Sequence, residues 1–167
     1  MRADKLYLVG FMGAGKTTMA RALAARLGWQ AVDIDEAIEA RERLTVAEVF
    51  ARHGEPYFRS VEQAVLLEQI AARHLVIATG GGTYADPQNR ALMNSDGAAI
   101  WLDVPLDRLI ARIPSDGRRP LAADRSGFER LYHQRRAAYQ QAHVRLDAGG
   151  ASVGALVEQL VEWLEGG

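Results

Sequence analysis

The chain has 167 residues, a length that suits one folded unit with a sizeable core. Its 49% hydrophobic and 25% charged content is that of an ordinary globular protein, and a net charge of −1 excludes a dedicated nucleic-acid binder, which would be strongly basic. The lack of cysteine excludes a disulfide framework and a thiolate metal site, and no apolar run reaches the roughly eighteen residues a membrane helix needs. Because the first apolar run begins at Leu6, a signal peptide is not expected, and a cytoplasmic enzyme is.

In chain order, apolar runs suited to buried parallel strands fall at 6–9, 30–32, 75–78, 98–102 and 144–146. Amphipathic segments near 15–27, 35–53, 57–73, 87–93, 105–112, 126–142 and 152–164 lie between and after them. Strands alternating with helices of this length indicate an α/β fold whose parallel sheet is covered on both faces. No internal repeat, low-complexity stretch or linker divides it. In such sheets ligands bind beyond the carboxyl ends of the strands. The residues just past the first three runs are therefore the candidate site.

Past the first run stands Gly10-Phe11-Met12-Gly13-Ala14-Gly15-Lys16-Thr17, the spacing of a phosphate-binding P-loop between strand and helix. Its glycines let successive backbone N–H groups converge on phosphate oxygens, and the helix N-terminus adds to the positive field. Lys16 supplies a mobile charge for the outer phosphates and Thr17 a hydroxyl ligand for Mg²⁺. Of the 20 basic residues only Lys5 and Lys16 are lysines, so no lysine adjacent in sequence can replace Lys16.

Past the second run are Asp33 and Asp35, whose i, i+2 spacing on extended backbone would aim both carboxylates one way, toward Mg²⁺ and an acceptor hydroxyl. The alternative is a turn residue followed by a helix N-cap at Asp35. Past the third run, Gly80, Gly81 and Gly82 are expected to bring bare backbone against a ligand. Arg59 is either a clamp for a substrate carboxylate or an exposed partner of Glu55 or Glu62. The Pro- and Gly-punctuated segment 113–124 suits a lid, from which Arg119 would stabilise charge on the transferring phosphoryl group. Arg135 and Arg136 project about 100° apart on a helix, so at most one faces a shared cleft. The four histidines, His53, His74, His133 and His143, show no metal-ligand spacing.

Together these segments resemble the shikimate kinase family over essentially the whole chain. The resemblance rests on GFMGAGKTT at 10–18, Asp33-Ile34-Asp35, FARHGEPYFRSVE at 50–62, TGGG at 79–82, RRPL at 118–121, and Arg135 four residues before Tyr139. It implies phosphorylation of the 3-hydroxyl of shikimate by MgATP, on the way to chorismate and the aromatic amino acids. It also implies a three-layer P-loop kinase fold with a five-stranded parallel sheet ordered 2-3-1-4-5, formed by residues 1–167 as one domain. The substrate-binding region would span about 34–61 and the lid about 113–124.

By the same resemblance, ATP is held by Gly13, Ala14, Gly15, Lys16, Thr17 and Thr18, with Arg112 against the adenine and Arg119 closing on the phosphates. Thr17 and Asp33 serve Mg²⁺. Asp35 orients or deprotonates the attacking hydroxyl, and Asp35, Lys16 and Arg119 form the catalytic set. Arg59 and Arg135 grip the substrate carboxylate, Gly80, Gly81 and Gly82 contact its hydroxyls, and Tyr57 and Phe58 belong to the mobile substrate-binding region. A monomer without nucleic-acid or membrane partners is expected. Two departures stand out. Ala137 replaces the family's usual proline, which makes Arg136 a possible substitute for Arg135, and the loop after Asp147 lacks a frequent proline. The four-residue spacing to Tyr139 favours Arg135, with Arg136 expected to be a surface residue. Kinases for gluconate or a nucleotide, and a non-catalytic ATP-binding module, are the competing readings.

Overall fold

The computed structural model, which describes residues 1–112 and 125–166, places a strand within one residue of every apolar run. In order the elements are β1 (Lys5–Val9), α1 (Lys16–Leu27), β2 (Gln30–Asp33), α2 (Ile34–Glu42), α3 (Val46–Glu68), β3 (Leu75–Ala78), α4 (Pro87–Asp96), β4 (Ala98–Asp103), α5 (Leu106–Ala111), α6 (Arg125–Tyr139), β5 (Val144–Asp147) and α7 (Val153–Glu165). The five strands form one all-parallel sheet in the expected order β2-β3-β1-β4-β5.

The burial pattern follows from that order. Every residue of the central strands β1, β3 and β4 is buried, whereas the edge strands β2 and β5 are partly exposed. Central strands sandwiched between helical layers can be apolar on both faces, which is why they read as unbroken hydrophobic runs. The helices bury stripes at i, i+3 and i+4 spacing: Met19, Ala20, Leu23 and Ala24 on α1, and Leu156, Val157, Leu160, Val161 and Leu164 on α7. Met19 and Leu23 on α1, and the five side chains of the α7 stripe, are each worth about 1.5–3 kcal/mol when removed from water.

The helical segment expected over 35–53 is instead two helices. Arg43 takes a left-handed conformation (φ 57°) that ends α2, and Thr45 opens α3 with a reciprocal cap: its hydroxyl accepts from the Glu48 N–H while the Glu48 carboxylate accepts from the Thr45 N–H, each at 3.1 Å. The break expected between 53 and 57 is a kink within α3, where Gly54 (φ 81°, ψ 171°) precedes Glu55-Pro56. The helix expected over 57–73 stops at Glu68. Just beyond it the buried Lys5 ammonium donates to the carbonyls of Gln69 (2.5 Å) and Ile70 (3.3 Å). The segment 113–124, with Arg118 and Arg119, lies outside the described residues.

Candidate active site

All-parallel pairing puts the residues after β1, β2 and β3 on one edge of the sheet, and the chemistry gathers there. After β1, the backbone turns at Gly10 so close to β4 that a Cβ would sit 2.9 Å from the Leu102 carbonyl oxygen, at a φ of 148° that favours glycine. Gly15 (φ 94°) opens α1 without a side-chain cap, and the first turn carries no acidic residue. The leading amides of α1 therefore stay available to an anion. The Lys16 ammonium donates to the Gly10 carbonyl and to that of Phe11 (3.2 Å), which holds it along the loop. Thr17 is half-buried and Thr18 exposed in the same turn. The Arg112 guanidinium, expected against an adenine, donates to the Gly13 carbonyl at 2.9 Å and so lies against the loop.

After β2, Asp33 rather than Asp35 is the helix cap. One Asp33 oxygen accepts from the Glu36 N–H at 3.0 Å, and the other accepts from the Thr17 hydroxyl. Asp35 stands in the first turn of α2, so the extended-strand reason for the two carboxylates pointing one way does not apply. They are neighbours all the same. Burial, with the charge of Asp33 adding to it and that of Lys16 opposing it, pushes the Asp35 carboxyl up to about 6.

After β3, the glycine triplet has a reason that the sequence did not disclose. None of the three glycines has positive φ; what each lacks is room. A Cβ on Gly80 would meet an Asp35 carboxylate oxygen at 3.0 Å and the Thr83 hydroxyl at 3.2 Å. One on Gly81 would meet Arg135 Nη1 at 3.1 Å, and one on Gly82 would meet Arg59 Nη2 at 2.6 Å. The bare backbone makes space for three of the chain's own charged side chains.

Arg59 makes both pairings of the alternative reading, with Glu55 and Glu62, but it is half-buried rather than exposed. It is only 28% exposed, with Nη1 3.0 Å from Glu62 Oε1, Nε 3.6 Å from Glu55, and its guanidinium 5.2 Å from the Phe58 ring centre. Glu62 is completely buried and also accepts from the Thr83 hydroxyl at 2.8 Å. It ties Arg59 to the segment that follows β3, a role its i, i+3 spacing to Arg59 hinted at without revealing its burial.

Arg135 points into the same cleft, 5.9 Å from the Phe11 ring centre and beside Tyr139, whose hydroxyl donates to the Gly81 carbonyl at 2.6 Å. Burial, with a contribution from the like charge of Arg59, holds the Arg135 guanidinium below its usual pKa. Arg136 turns the other way. Contrary to the expectation of a surface residue, it donates to Asp103 Oδ1 at 2.8 Å and to the Tyr132 hydroxyl at 2.9 Å, with its guanidinium 4.8 Å from the Trp101 ring centre. α6 runs unbroken through Ala137 to Tyr139, so the two arginines keep helical spacing. Beyond β5, the Ala148 N–H donates to the Asp103 carbonyl (2.9 Å), and Ser152 caps α7.

One edge of the sheet thus holds a phosphate cradle with its lysine, two neighbouring carboxylates, and a pocket that two guanidiniums enter over three glycines. Comparison with known proteins identifies the family. The family model described as shikimate kinase matches residues 12–165. The shikimate kinase of Persephonella marina is 38% identical over 157 residues, spanning 93% of this chain and 96% of that protein. That of Thermosynechococcus vestitus is 44% identical over 144 residues, spanning 84% and 78%. Among solved structures, shikimate kinase from Acinetobacter baumannii in complex with shikimate superposes with a TM-score of 0.90 at 32% identity, covering 98% of this chain and 93% of that one. Shikimate kinase from Aquifex aeolicus gives 0.88 at 30% identity, covering 97% and 96%. With P-loop, carboxylates, arginines and glycines all on one edge of a 2-3-1-4-5 sheet, the chain belongs to the shikimate kinase family.

Proposed function

We propose that the chain transfers the γ-phosphoryl group of ATP to the 3-hydroxyl of shikimate, giving shikimate 3-phosphate and ADP on the route to chorismate and the aromatic amino acids. The observation that carries this is the convergence of Asp35, Arg59 and Arg135 on Gly80, Gly81 and Gly82 beside the P-loop. Two guanidiniums select a carboxylate, one carboxylate selects a hydroxyl, and the cradle next to them supplies the phosphate.

In this reading Gly13, Ala14, Gly15, Lys16, Thr17 and Thr18 embrace the ATP phosphates, and Lys16 faces the charge that builds on them. Arg112 flanks the nucleotide, and Arg119, which lies outside the described residues, is assigned to its phosphates. Thr17 and Asp33 present adjoining hard oxygens at the mouth of the loop, a donor set that fits Mg²⁺ shared with phosphates. Bound there, the ion would neutralise phosphate charge. Asp35, pushed up to about 6, is basic enough to take the proton of the attacking hydroxyl while remaining mostly ionised at neutral pH. Arg59 and Arg135 fix the carboxylate end of the ring, so that the hydroxyl meets the phosphorus in line. The reading extends to a single domain over 1–167 with a substrate-binding region at 34–61, acting as a cytoplasmic monomer without nucleic-acid or membrane partners. No helix among the described residues is long and apolar enough to cross a membrane.

The test is ADP release with shikimate, gluconate and nucleoside monophosphates in parallel, with the product identified by mass. Only shikimate should be turned over efficiently. Arg59→Ala should raise the shikimate KM by about 30-fold or more and leave the ATP KM nearly unchanged, since removing one partner of a charge-assisted pair costs about 2–5 kcal/mol. A shikimate analogue without the carboxylate should be insensitive to the substitution. Equal losses with both compounds would place the clamp elsewhere.

A further inference from the structure

We infer that the Arg136–Asp103 ion pair is a positioning device for the acceptor pocket: it sets the rotation of α6 so that Arg135, rather than its neighbour, faces Gly81. This rests on the reading of Arg135 as part of the carboxylate clamp.

Adjacent helical residues diverge by about 100°, so fixing the direction of one fixes the other. Arg136 is fixed from three sides. Its guanidinium donates to Asp103 (2.8 Å) and to the Tyr132 hydroxyl (2.9 Å), and it lies over Trp101 (4.8 Å). The anchor is rigid because Asp103 ends the fully buried β4 and its side chain is only 7% exposed. Tyr132 extends the tie by donating to the Val104 carbonyl at 3.2 Å and packing edge-on against Phe11 of the P-loop at 5.5 Å.

Arg135 sits where burial and the like charge of Arg59 disfavour its guanidinium, while Tyr139, hydrogen-bonded to it, and Glu62 favour it. With the two sides opposed, the Arg136 tie, about 100° round the same helix, helps to decide that Arg135 faces Gly81. Asp103 has a second cation, Arg145 (2.8 Å), on its other oxygen. Arg145 projects from β5 with its side chain 57% exposed, so it shares the carboxylate without controlling α6. This gives a built-in control.

Steady-state kinetics on Arg136→Ala, Arg135→Ala, the double variant and Arg145→Ala separate the possibilities. Arg136→Ala should raise the shikimate KM about tenfold while kcat and the ATP KM stay within about twofold, the size expected for coupling between neighbouring side chains. In the Arg135→Ala background the same change should add nothing, and Arg145→Ala should leave all three constants unaltered. Arg136→Lys keeps the charge without the fork, so it should recover part of the lost affinity. It carries the same comparison should the alanine variant fail to fold. Parallel losses in kcat and both KM values, or a KM effect that multiplies with Arg135→Ala, would reduce the pair to ordinary packing and overturn the inference. If Arg135→Ala itself leaves the shikimate KM unchanged, the carboxylate reading of Arg135 falls and takes the inference with it. If Arg135→Ala raises it while Arg136→Ala does not, the clamp stands and only the inference is lost.

Discussion

At the amino-terminal edge of the sheet, charges are matched. The completely buried Lys5 ammonium lies 2.8 Å from Asp96, Arg73 bridges Asp96 (2.8 Å) and Asp4 (2.6 Å), and the Tyr7 hydroxyl donates to Asp96 at 2.6 Å. Burial pushes Asp96 up, yet hydrogen bonds from Lys5, Tyr7 and Arg73 outweigh it and hold the carboxyl below its usual value. At the carboxyl-terminal edge, like charges crowd together instead. Burial, with Asp33 adding to it, pushes Asp35 up, and burial, with Arg59 adding to it, pulls Arg135 down, so in both groups the ionised form is the disfavoured one. The same sheet carries a satisfied network at one end and an electrostatically strained one at the other. An anion between Arg59 and Arg135 would relieve the crowding of the guanidiniums, and a cation beside Asp33 would relieve that of the carboxylates.

The comparison breaks most visibly at Asp35. Asp35→Asn should lower turnover of shikimate by about 10²- to 10⁴-fold, the range of a lost general base. The same change should stabilise the fold at pH 7 by on the order of 1–2 kcal/mol, because it removes a disfavoured charge. The sign follows from proton counting. The folded carboxyl titrates near 6 against an ordinary 3.8, so between those values the folded state binds more protons than the unfolded one. Stability due to this group therefore falls as pH rises from about 4 to about 6 and stays low above that range. Melting curves at pH 7.5 should favour the Asn variant, and curves near pH 4 should not. Wild-type kcat/KM for shikimate should fall as pH drops below about 6. A variant less stable than wild type at pH 7.5 would contradict the idea of a strained edge.

The matched edge should behave in the opposite way. Lys5→Met leaves the half-buried Asp96 with Arg73 as its remaining cation and uncaps the carbonyls of Gln69 and Ile70, so unfolding free energy should drop by about 1–3 kcal/mol. Kinetic constants of the folded fraction should not change. Adding Asp96→Leu should restore part of the loss, since it removes a half-buried carboxylate that has lost one of its two cations. A change in shikimate or ATP KM in Lys5→Met would show that the two edges are coupled.

Much of the strained edge was legible because its parts are local. The P-loop is a spacing, the strands are apolar runs, and Arg135 and Tyr139 share a face by their four-residue separation. What escaped depends on segments meeting. Glu62 is buried because Thr83 and Arg59 reach it from two directions. Arg136 is anchored because β4 ends in Asp103 beneath it. Asp33 caps α2 and accepts from Thr17 together, a pairing visible only once β2 lies beside the P-loop helix. The division of 35–53 is a different case. Thr45 and Glu48 form an N-terminal signature readable from sequence, but the apolar periodicity ran across it and won.

The finest contrast between the edges comes from two glycines with the same lack of space. A Cβ on Gly82 would lie 2.6 Å from Arg59 Nη2, and one on Gly97 would lie 2.6 Å from the Lys5 carbonyl oxygen. The obstacle at Gly82 is the tip of a flexible side chain, which can move aside while Glu62 still holds its other face. Gly82→Ala should therefore change stability by less than about 1 kcal/mol while raising the shikimate KM about three- to tenfold. The obstacle at Gly97 is the backbone of β1, which cannot retreat without disturbing the sheet. Gly97→Ala should lower stability by about 1–3 kcal/mol with the kinetic constants unchanged. Gly97 has a φ of −157°, which any residue adopts, so its cost arises from the collision and not from conformation. If thermal denaturation and shikimate kinetics rank the two substitutions the other way round, Arg59 is held more rigidly than Glu62 alone can explain. In that event the guanidinium belongs to the frame of the pocket rather than to its adjustable lining.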